Sequence, residues 1–455
     1  MEKTGVLEVR KMAEVRQQKA SALRGAILIV VLVAAVVLGA LAVWKGYKAS
    51  KWTRPESTAS GEPAKSRAEQ TPALPAEPAS QPEISVAMEA EVEPVETVTL
   101  MALGDNLIHN TVYWSAETAD GGYDFTPFYQ DIQPVVEQYD IACINQETIF
   151  VKDHAMLSNY PAFGSPTEVG DALAETGFDV VTCATNHCYD KLDTGIRDTC
   201  SYWRDNHPEI TVLGIHDSEE DARTLRVVEK SGIRIAMLNY TYGLNYSAPE
   251  KKWMVDQFSS FDRIAADLRQ AEQDADFTIV FAHWGEEGQT QPNRMQTTWA
   301  QVLADNGADL IIGGHPHLVQ PLDMVTAEDG RRVPVFYSLG NFLSHQDQTR
   351  NMLGGMAKVT ITKDQTGTYV SDYHIEPLVT LMQTGGTHGT GYRFRTMHLE
   401  DYTEELGQTH IRANCHKSDM DNLWATIFED ASYGISEGDK IGIIGINGTG
   451  KTTLA

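Results

Sequence analysis

Apolar and polar positions change rhythm several times along the 455-residue chain. From Ala26 to Trp44 the run AILIVVLVAAVVLGALAVW carries no charge, and at 1.5 Å per residue it would cover about 28 Å, close to one bilayer core. That pattern predicts one membrane-spanning helix. Residues 45–96 are dominated instead by Pro, Ala, Glu and Ser (TASGEPAKSRAEQTPALPAEPASQPE), a composition that cannot bury enough apolar area to offset its ordering entropy, and they read as a semi-extended linker. From Thr97 onward short β-rich runs, TVTLMAL, IACIN, DVVTCAT, TVLGI and RIAMLNY, alternate with stretches of helical period such as TEVGDALAETG and GIRDTCSYWRDN. Ser165 is the expected N-cap of the first of these helices and Pro166 its first helical residue. The alternation continues through FDRIAADLRQAEQDA, DFTIVFAHWG, MQTTWAQVLADNG, ADLIIGG and VPVFYSLGN, which predicts α/β architecture with helices covering sheet faces.

Composition narrows the function classes. A 42% hydrophobic content supports a sizeable core and excludes wholesale disorder. Lys and Arg number 36 against 63 Asp and Glu, a formal charge of −27 that would repel a phosphate backbone, so no nucleic-acid partner is expected. The five cysteines form neither an even framework nor a C-x-x-C pair, so neither a disulfide scaffold nor a structural zinc site is indicated. Basic residues flank the apolar run on both sides, Lys3, Arg10, Lys11, Arg16, Lys19 and Arg24 before it and Lys45, Lys48, Lys51 and Arg54 after it, which tilts the N-terminus only slightly toward the cytoplasm. Ala40-Leu41-Ala42 resembles a signal cleavage site, but a 25-residue leading segment and so long an apolar run suit an uncleaved anchor better.

Candidate chemistry lies where the β runs end. Gly104-Asp105 with His109, Asn145-Gln146-Glu147, Asn186-His187 with Asp190, His283-Trp284-Gly285 with Glu286, and Gly314-His315-Pro316-His317 each close a run. Ligands of open α/β sheets sit beyond the carboxyl ends of strands, so these five loops are expected to converge on one crevice. Imidazole nitrogens mixed with carboxylate and amide oxygens suit divalent Mn, Fe or Zn, and Glu147 could bridge two ions that polarise a shared water for hydrolysis. Taken singly each cluster also has a local explanation: Asp105 in a turn, Asn186 capping a helix, His283 as a core histidine. Their coincidence at strand ends carries the case, with His315-Pro316-His317 the most specific because proline fixes the backbone between two imidazoles.

The ordered motifs MALGDNLIH, NQETIF, ATNHCYD, FAHWGEE, GGHPHLVQPL and YSLGNF resemble those of the poly-gamma-glutamate capsule biosynthesis protein CapA family, a branch of the calcineurin-like metallophosphatase superfamily, over about Thr97 to Arg412. The resemblance implies a metallophosphatase-like αββα sandwich, with one transmembrane helix and a linker in front of it. It implies a single-pass protein of the bacterial cytoplasmic membrane whose domain at 97–412 is extracytoplasmic, following a cytoplasmic basic segment at 1–25. Carried over by motif, the metal ligands are Asp105, Glu147, Asn186, His283, His315 and His317, with His109 a further candidate although the superfamily usually has Asp-x-His at that point. His187 matches the position that stabilises charge or donates a proton to the leaving group, and Asp190 and Glu286 would be outer-shell or substrate-facing. Implied partners are other membrane proteins of capsule or polymer synthesis and an anionic polymer. Three functional readings stay open at this point: a metal-dependent hydrolase in capsule or poly-gamma-glutamate production, a non-catalytic component of a polymer synthesis or export complex, and a phosphoesterase with an unrelated substrate.

Residues 413–455 fit none of this. GINGTGKT satisfies the phosphate-loop pattern through Gly445, Gly450, Lys451 and Thr452 and resembles the opening of an ABC-type ATPase domain. Five residues after Gly450 do not make the helix whose amides such a loop needs, so no working nucleotide site is expected, and a truncated or fused reading frame is the preferred explanation.

Overall fold

Runs rich in β-branched and aromatic residues pair as strands, and the amphipathic segments between them cover the outer faces. The computed structural model describes residues 95–427 apart from 247 and 387–390. All fall in the second of two units into which the chain divides, Glu89–Ala455. The described chain opens with β1 (Glu96–Asn106), α1 (Asn110–Ala116), α2 (Thr126–Tyr129), α3 (Gln133–Val136), β2 (Ile141–Gln146), β3 (Phe150–Val151), β4 (Ser165–Pro166), α4 (Glu168–Thr176) and β5 (Val180–Thr182). It continues through α5 (Leu192–Asn206), β6 (Thr211–Leu213), β7 (Arg226–Lys230), β8 (Ile233–Thr241), α6 (Phe261–Asp274), β9 (Phe277–His283), α7 (Arg294–Asp305) and β10 (Leu310–Gly314). The last third holds β11 (Leu322–Thr326), β12 (Arg332–Phe336), β13 (Asn341–Leu343), β14 (Leu353–Asp364), β15 (Gly367–Thr384), β16 (Tyr392–His398), α8 (Glu404–Thr409) and α9 (Lys417–Ile427).

Two sheets form a mixed α/β sandwich. The first has the order β16-β15-β14-β1-β2-β5-β6, with β13 beside the end of β1; the second has the order β11-β12-β10-β9-β8-β7. Strands β1, β2, β5 and β6 are parallel, as are β8, β9, β10 and β12, whereas β14, β15 and β16 extend the first sheet antiparallel and β7 and β11 close the edges of the second.

Alternation along the strands sends side chains into two different cores. Leu100, Ala102, Ile141, Cys143 and Val180 from the first sheet meet Ile235, Met237, Ile279 and Ile312 from the second, an apolar layer between the sheets. The intervening Met101, Ala142, Ile144 and Val181 face outward and are covered by Val112 of α1, Leu173 of α4 and Ile196 and Trp203 of α5. On the far side Val280 and Ile311 are covered by Ile264 and Leu268 of α6 and Trp299 and Leu303 of α7. Central strands are therefore apolar on both faces, which is why their sequences read as unbroken hydrophobic runs. Each such buried Leu, Ile, Val or Met contributes about 1.5–3 kcal/mol relative to exposure.

Helix starts follow local rules at α6 and α7 and depart from them at Ser165. Ser260 caps α6 by accepting from the Arg263 N–H, and Asn293 with Gln296 forms a capping box on α7. Ser165 and Pro166, in contrast, do not open a helix: they form β4, paired in parallel with β3. The Ser165 N–H donates to Ile149 O and its hydroxyl to Thr148 Oγ1, so strand pairing takes the groups a cap would use, and α4 begins later, at Glu168 after Thr167. The run VPVFYSLGN is likewise split, into β12 of the second sheet and the start of β13 in the first, so the chain crosses from one sheet to the other there.

Packing continues past Arg412. Cys415, with Met420 and Trp424 of α9, is buried in the inter-sheet cluster beside Tyr402, whose hydroxyl donates to Cys415 O. The apolar run at 26–44, the linker at 45–96 except its last two residues, and the phosphate-loop residues 445–452 lie outside the described residues. Among the described residues no helix is long and apolar enough to cross a membrane.

Candidate metal centre

Register brings the strand ends together. In the first sheet Asp105 pairs with Asn145 and Asn106 with Gln146, after a bulge between Leu103 and Asp105; in the second His283 stands opposite both Gly314 and Thr241. Side chains that follow these ends come from both sheets to one place. The sheets approach so closely there that a Cβ on Gly314 would lie 2.7 Å from Asp105 Oδ1, so only glycine fits at the end of β10.

Asp105, Glu147, Asn186, His283, His315 and His317 are at most 3% exposed and meet at this point. His283 Nε2 lies 2.8 Å from Asn186 Oδ1 and 3.7 Å from Glu147 Oε1. His317 Nδ1 lies 3.0 Å from Asp105 Oδ2 and 3.7 Å from Glu147 Oε2. Three groups place one ligand atom per residue within 4.8 Å of one another: Asp105, Glu147 and His317; Glu147, His283 and His315; and Glu287, His315 and His317. Glu147 is common to the first two, the position expected of a bridging carboxylate.

Backbone geometry is strained at the same spot. His315 has φ of 96° and His317 φ of 57°, left-handed values that cost about 1–3 kcal/mol for a residue with a Cβ. Part of what holds them is local: the His315 N–H donates to Asp105 Oδ2 at 3.2 Å, and Asn351 Nδ2 donates to His317 O at 3.1 Å.

Electrostatics test whether a cation fits. Both carboxylate oxygens of Glu147 are buried with no hydrogen-bond partner, and so is His315 Nδ1. A fully buried carboxylate without donors is costly unless it is protonated or faces a cation. Burial pushes the Glu147 carboxyl well above the usual range, Asp105 and Glu287 add to this, and His317 opposes it. Burial alone would lower His317, but Glu147 and Asp105 raise it to about 9. Burial and the surrounding imidazoles hold His283 and His315 far below their ordinary value, which keeps those rings neutral and their lone pairs available to a metal. Orphaned carboxylate oxygens, neutral imidazoles and an amide oxygen are a donor set suited to divalent cations.

A second arrangement borders the first. His187 Nδ1 is 2.6 Å from Asp190 Oδ2, which also accepts from the Phe163 N–H, so the carboxylate fixes the ring next to Asn186. Asn245, on the loop after β8, sets its side-chain amide 3.0 Å from His187 Nδ1 and accepts from Asn186 Nδ2 at 3.3 Å. His109 joins none of the three ligand groups. Its Nδ1 accepts from the His345 N–H at 3.2 Å, burial lowers its pKa to about 3, and its ring meets Phe163 edge-on, 5.4 Å between centroids. Glu286 is exposed and accepts from Asn293 Nδ2 at 3.5 Å; its neighbour Glu287 is the carboxylate that reaches His315 and His317.

Sequence reasoning missed three participants. Glu287 was hidden by adjacency to an identical residue, and only the course of the loop after Gly285, φ of 96°, brings one of the two near His315 and His317. Asn145 stood within a strand-end cluster without a role: its Nδ2 donates to Asp105 Oδ1 at 2.8 Å while its Oδ1 accepts from Thr182 Oγ1 at 2.9 Å, so it orients the Asp105 carboxylate from behind. Asn245 carries no local signal.

The model of the family described as bacterial capsule synthesis protein PGA_cap matches residues 99–346, more than half of the chain. The chain belongs to that family. PGA biosynthesis protein CapA of Bacillus subtilis (strain 168) is 26% identical over 245 residues, covering 53% of this chain and 63% of that protein. Capsule biosynthesis protein CapA of Bacillus anthracis is 30% identical over 188 residues, covering 40% and 44%. The chain thus spans less than two thirds of the length of either curated relative. Among solved structures, the calcineurin-like phosphoesterase YfkN from Bacillus subtilis is matched over 74% of this chain and 99% of that one, at 15% identity and a TM-score of 0.37. A hypothetical protein from Thermus thermophilus is matched over 61% and 98%, at 13% identity and a TM-score of 0.37.

Proposed function

We propose that this chain is a metal-dependent hydrolase that acts in the production of poly-gamma-glutamate or a related anionic cell-surface polymer. The residues at 26–44 hold it to the bacterial cytoplasmic membrane, and its described domain works outside the cell beside other membrane proteins of polymer synthesis. The relatives' names supply the process, and the site supplies the chemistry. One observation carries the chemical half: Glu147 lies fully buried at the junction of two ligand groups with neither oxygen hydrogen-bonded.

Asp105, Glu147 and His317 would hold one divalent ion, and Glu147, Asn186, His283 and His315 a second, with Mn, Fe or Zn the fitting elements. A bound ion pair supplies an activated water and a clamp for a phosphoryl or acyl oxygen. His187, oriented by Asp190, holds a proton beside that position and delivers it to the departing oxygen or nitrogen. Asn145 keeps Asp105 aimed.

Elemental analysis of the purified chain beside His315→Ala, together with turnover of a generic phosphodiester and of a gamma-linked glutamate oligomer, tests this. Metal in the wild type, its loss in the variant and hydrolysis of either substrate are expected. Equal metal in both proteins would overturn the site, and bound metal without turnover of either substrate would overturn the hydrolase reading.

A further inference from the structure

Five of the residues grouped around this site, Asp105, Glu147, His283, His315 and His317, are buried and carried on or directly beyond strands. Glu287 differs from them in its exposure and in its place on a loop. It is exposed, it sits on a loop between Gly285 (φ of 96°) and Gly288 (φ of 75°), and among the described residues its carboxylate makes no hydrogen bond or ion pair. Yet it reaches the ligand atoms of His315 and His317, and the His315 Nδ1 is itself buried without a partner. The nearest backbone anchor is the Gly288 N–H, which donates to Pro316 O at 2.9 Å, between the two histidines.

We propose that Glu287 is the exchangeable ligand of the centre, a carboxylate that occupies on the solvent side the place taken by an anionic group of the substrate. This rests on the metal-dependent reading above and adds the direction from which substrate enters. Two physical points support it. Access to a buried ligand set comes most directly from the side where a ligand is exposed, and the Glu287 side chain, which makes no hydrogen bond or ion pair among the described residues, can turn away without breaking one. A carboxylate and an incoming oxyanion also repel each other, so the two compete for one position instead of sharing it. Ligand classes that fit are therefore phosphoryl and carboxylate groups, both oxyanions of similar size to the side chain they displace.

The test uses the full-length chain loaded with Mn²⁺ and measures inorganic phosphate binding by calorimetry, with metal content determined in parallel. Glu287→Gln is expected to retain the wild-type metal content under saturating Mn²⁺ and to bind phosphate about tenfold more tightly, because an uncharged amide no longer competes for the position. Glu229→Gln, which removes one exposed carboxylate from the edge strand β7, is the control for net charge and is expected to match the wild type. Phosphate affinity in Glu287→Gln equal to or weaker than in the wild type would overturn the proposal, and so would loss of metal, which would make Glu287 a fixed ligand. A wild-type chain that takes up no Mn²⁺ would instead sink the metal-dependent reading on which the proposal stands.

Discussion

His216 and His315 are both buried imidazoles among carboxylates, in the same domain, yet their surroundings differ in kind. His216 Nδ1 is 3.1 Å from Asp221 and its Nε2 is 2.8 Å from Asp256, while Arg226 and Arg263 pair with the other oxygens of those two carboxylates. Burial would lower His216, but the two carboxylates raise it to about 9, so it is held as a cation in a closed network. Around His315 the network stays open: its Nδ1 and both oxygens of Glu147 are buried without hydrogen-bond partners, and burial keeps the His315 ring neutral. The same residue types therefore make a structural clamp in one place and a set of unsatisfied lone-pair donors in the other. What separates them is whether the hydrogen-bonding capacity is used up within the protein.

Glu147→Gln should break the open cluster most severely, since it removes a carboxylate shared by two ligand groups. Metal affinity is expected to fall about a hundredfold or more, read by competition with a chelator; retained metal would place this cluster in the same category as the clamp. His216→Ala should act on the other side of the contrast. It leaves two carboxylates without their shared cation and is expected to cost about 3 kcal/mol in denaturant unfolding at pH 6, with metal content unchanged. That gap depends on pH in a defined direction. The folded-state pKa of His216 is raised from 6.5 to about 9, so its contribution is complete below pH 6.5 and fades as the pH climbs through 9, and the difference between wild type and variant should shrink over that window. A gap that stays constant from pH 6 to 9.5 would show that the charge on His216 is not what holds the clamp. The smallest effect is expected for Asn145→Ala, about tenfold in metal affinity, because Asp105 loses only its orienting donor.

Much of the fold could be read in advance because the parallel strands lie between two apolar layers. IACIN, DFTIVFAHWG and ADLIIGG had to be internal strands once both of their faces were apolar. The antiparallel extension β14, β15 and β16 was not foreseen: much of β15 is only partly buried, and its mixed composition carries no clear period. Ser165 and Pro166 carried a good helix-start signature that strand pairing with Phe150 and Val151 overrode. Cys415, Met420 and Trp424 fall in a segment whose membership of the domain was left open by pattern, and they complete the core beside Tyr402, a contact made across the fold.

The meeting of His283, His315, His317, Asp105, Glu147 and Asn186 in one place could be anticipated from the chain alone because parallel strands aim their carboxyl ends the same way, so polar clusters that follow apolar runs share an edge. Choosing Glu287 over Glu286, finding Asn145 behind Asp105 and setting His109 apart from the ligand groups required coordinates, since each depends on a rotation or a cross-sheet distance. Residue order determines which side chains arrive at that edge. Whether their lone pairs are satisfied by protein or left for a cation is decided only when two sheets close over them, because burial and partners are properties of the packed molecule.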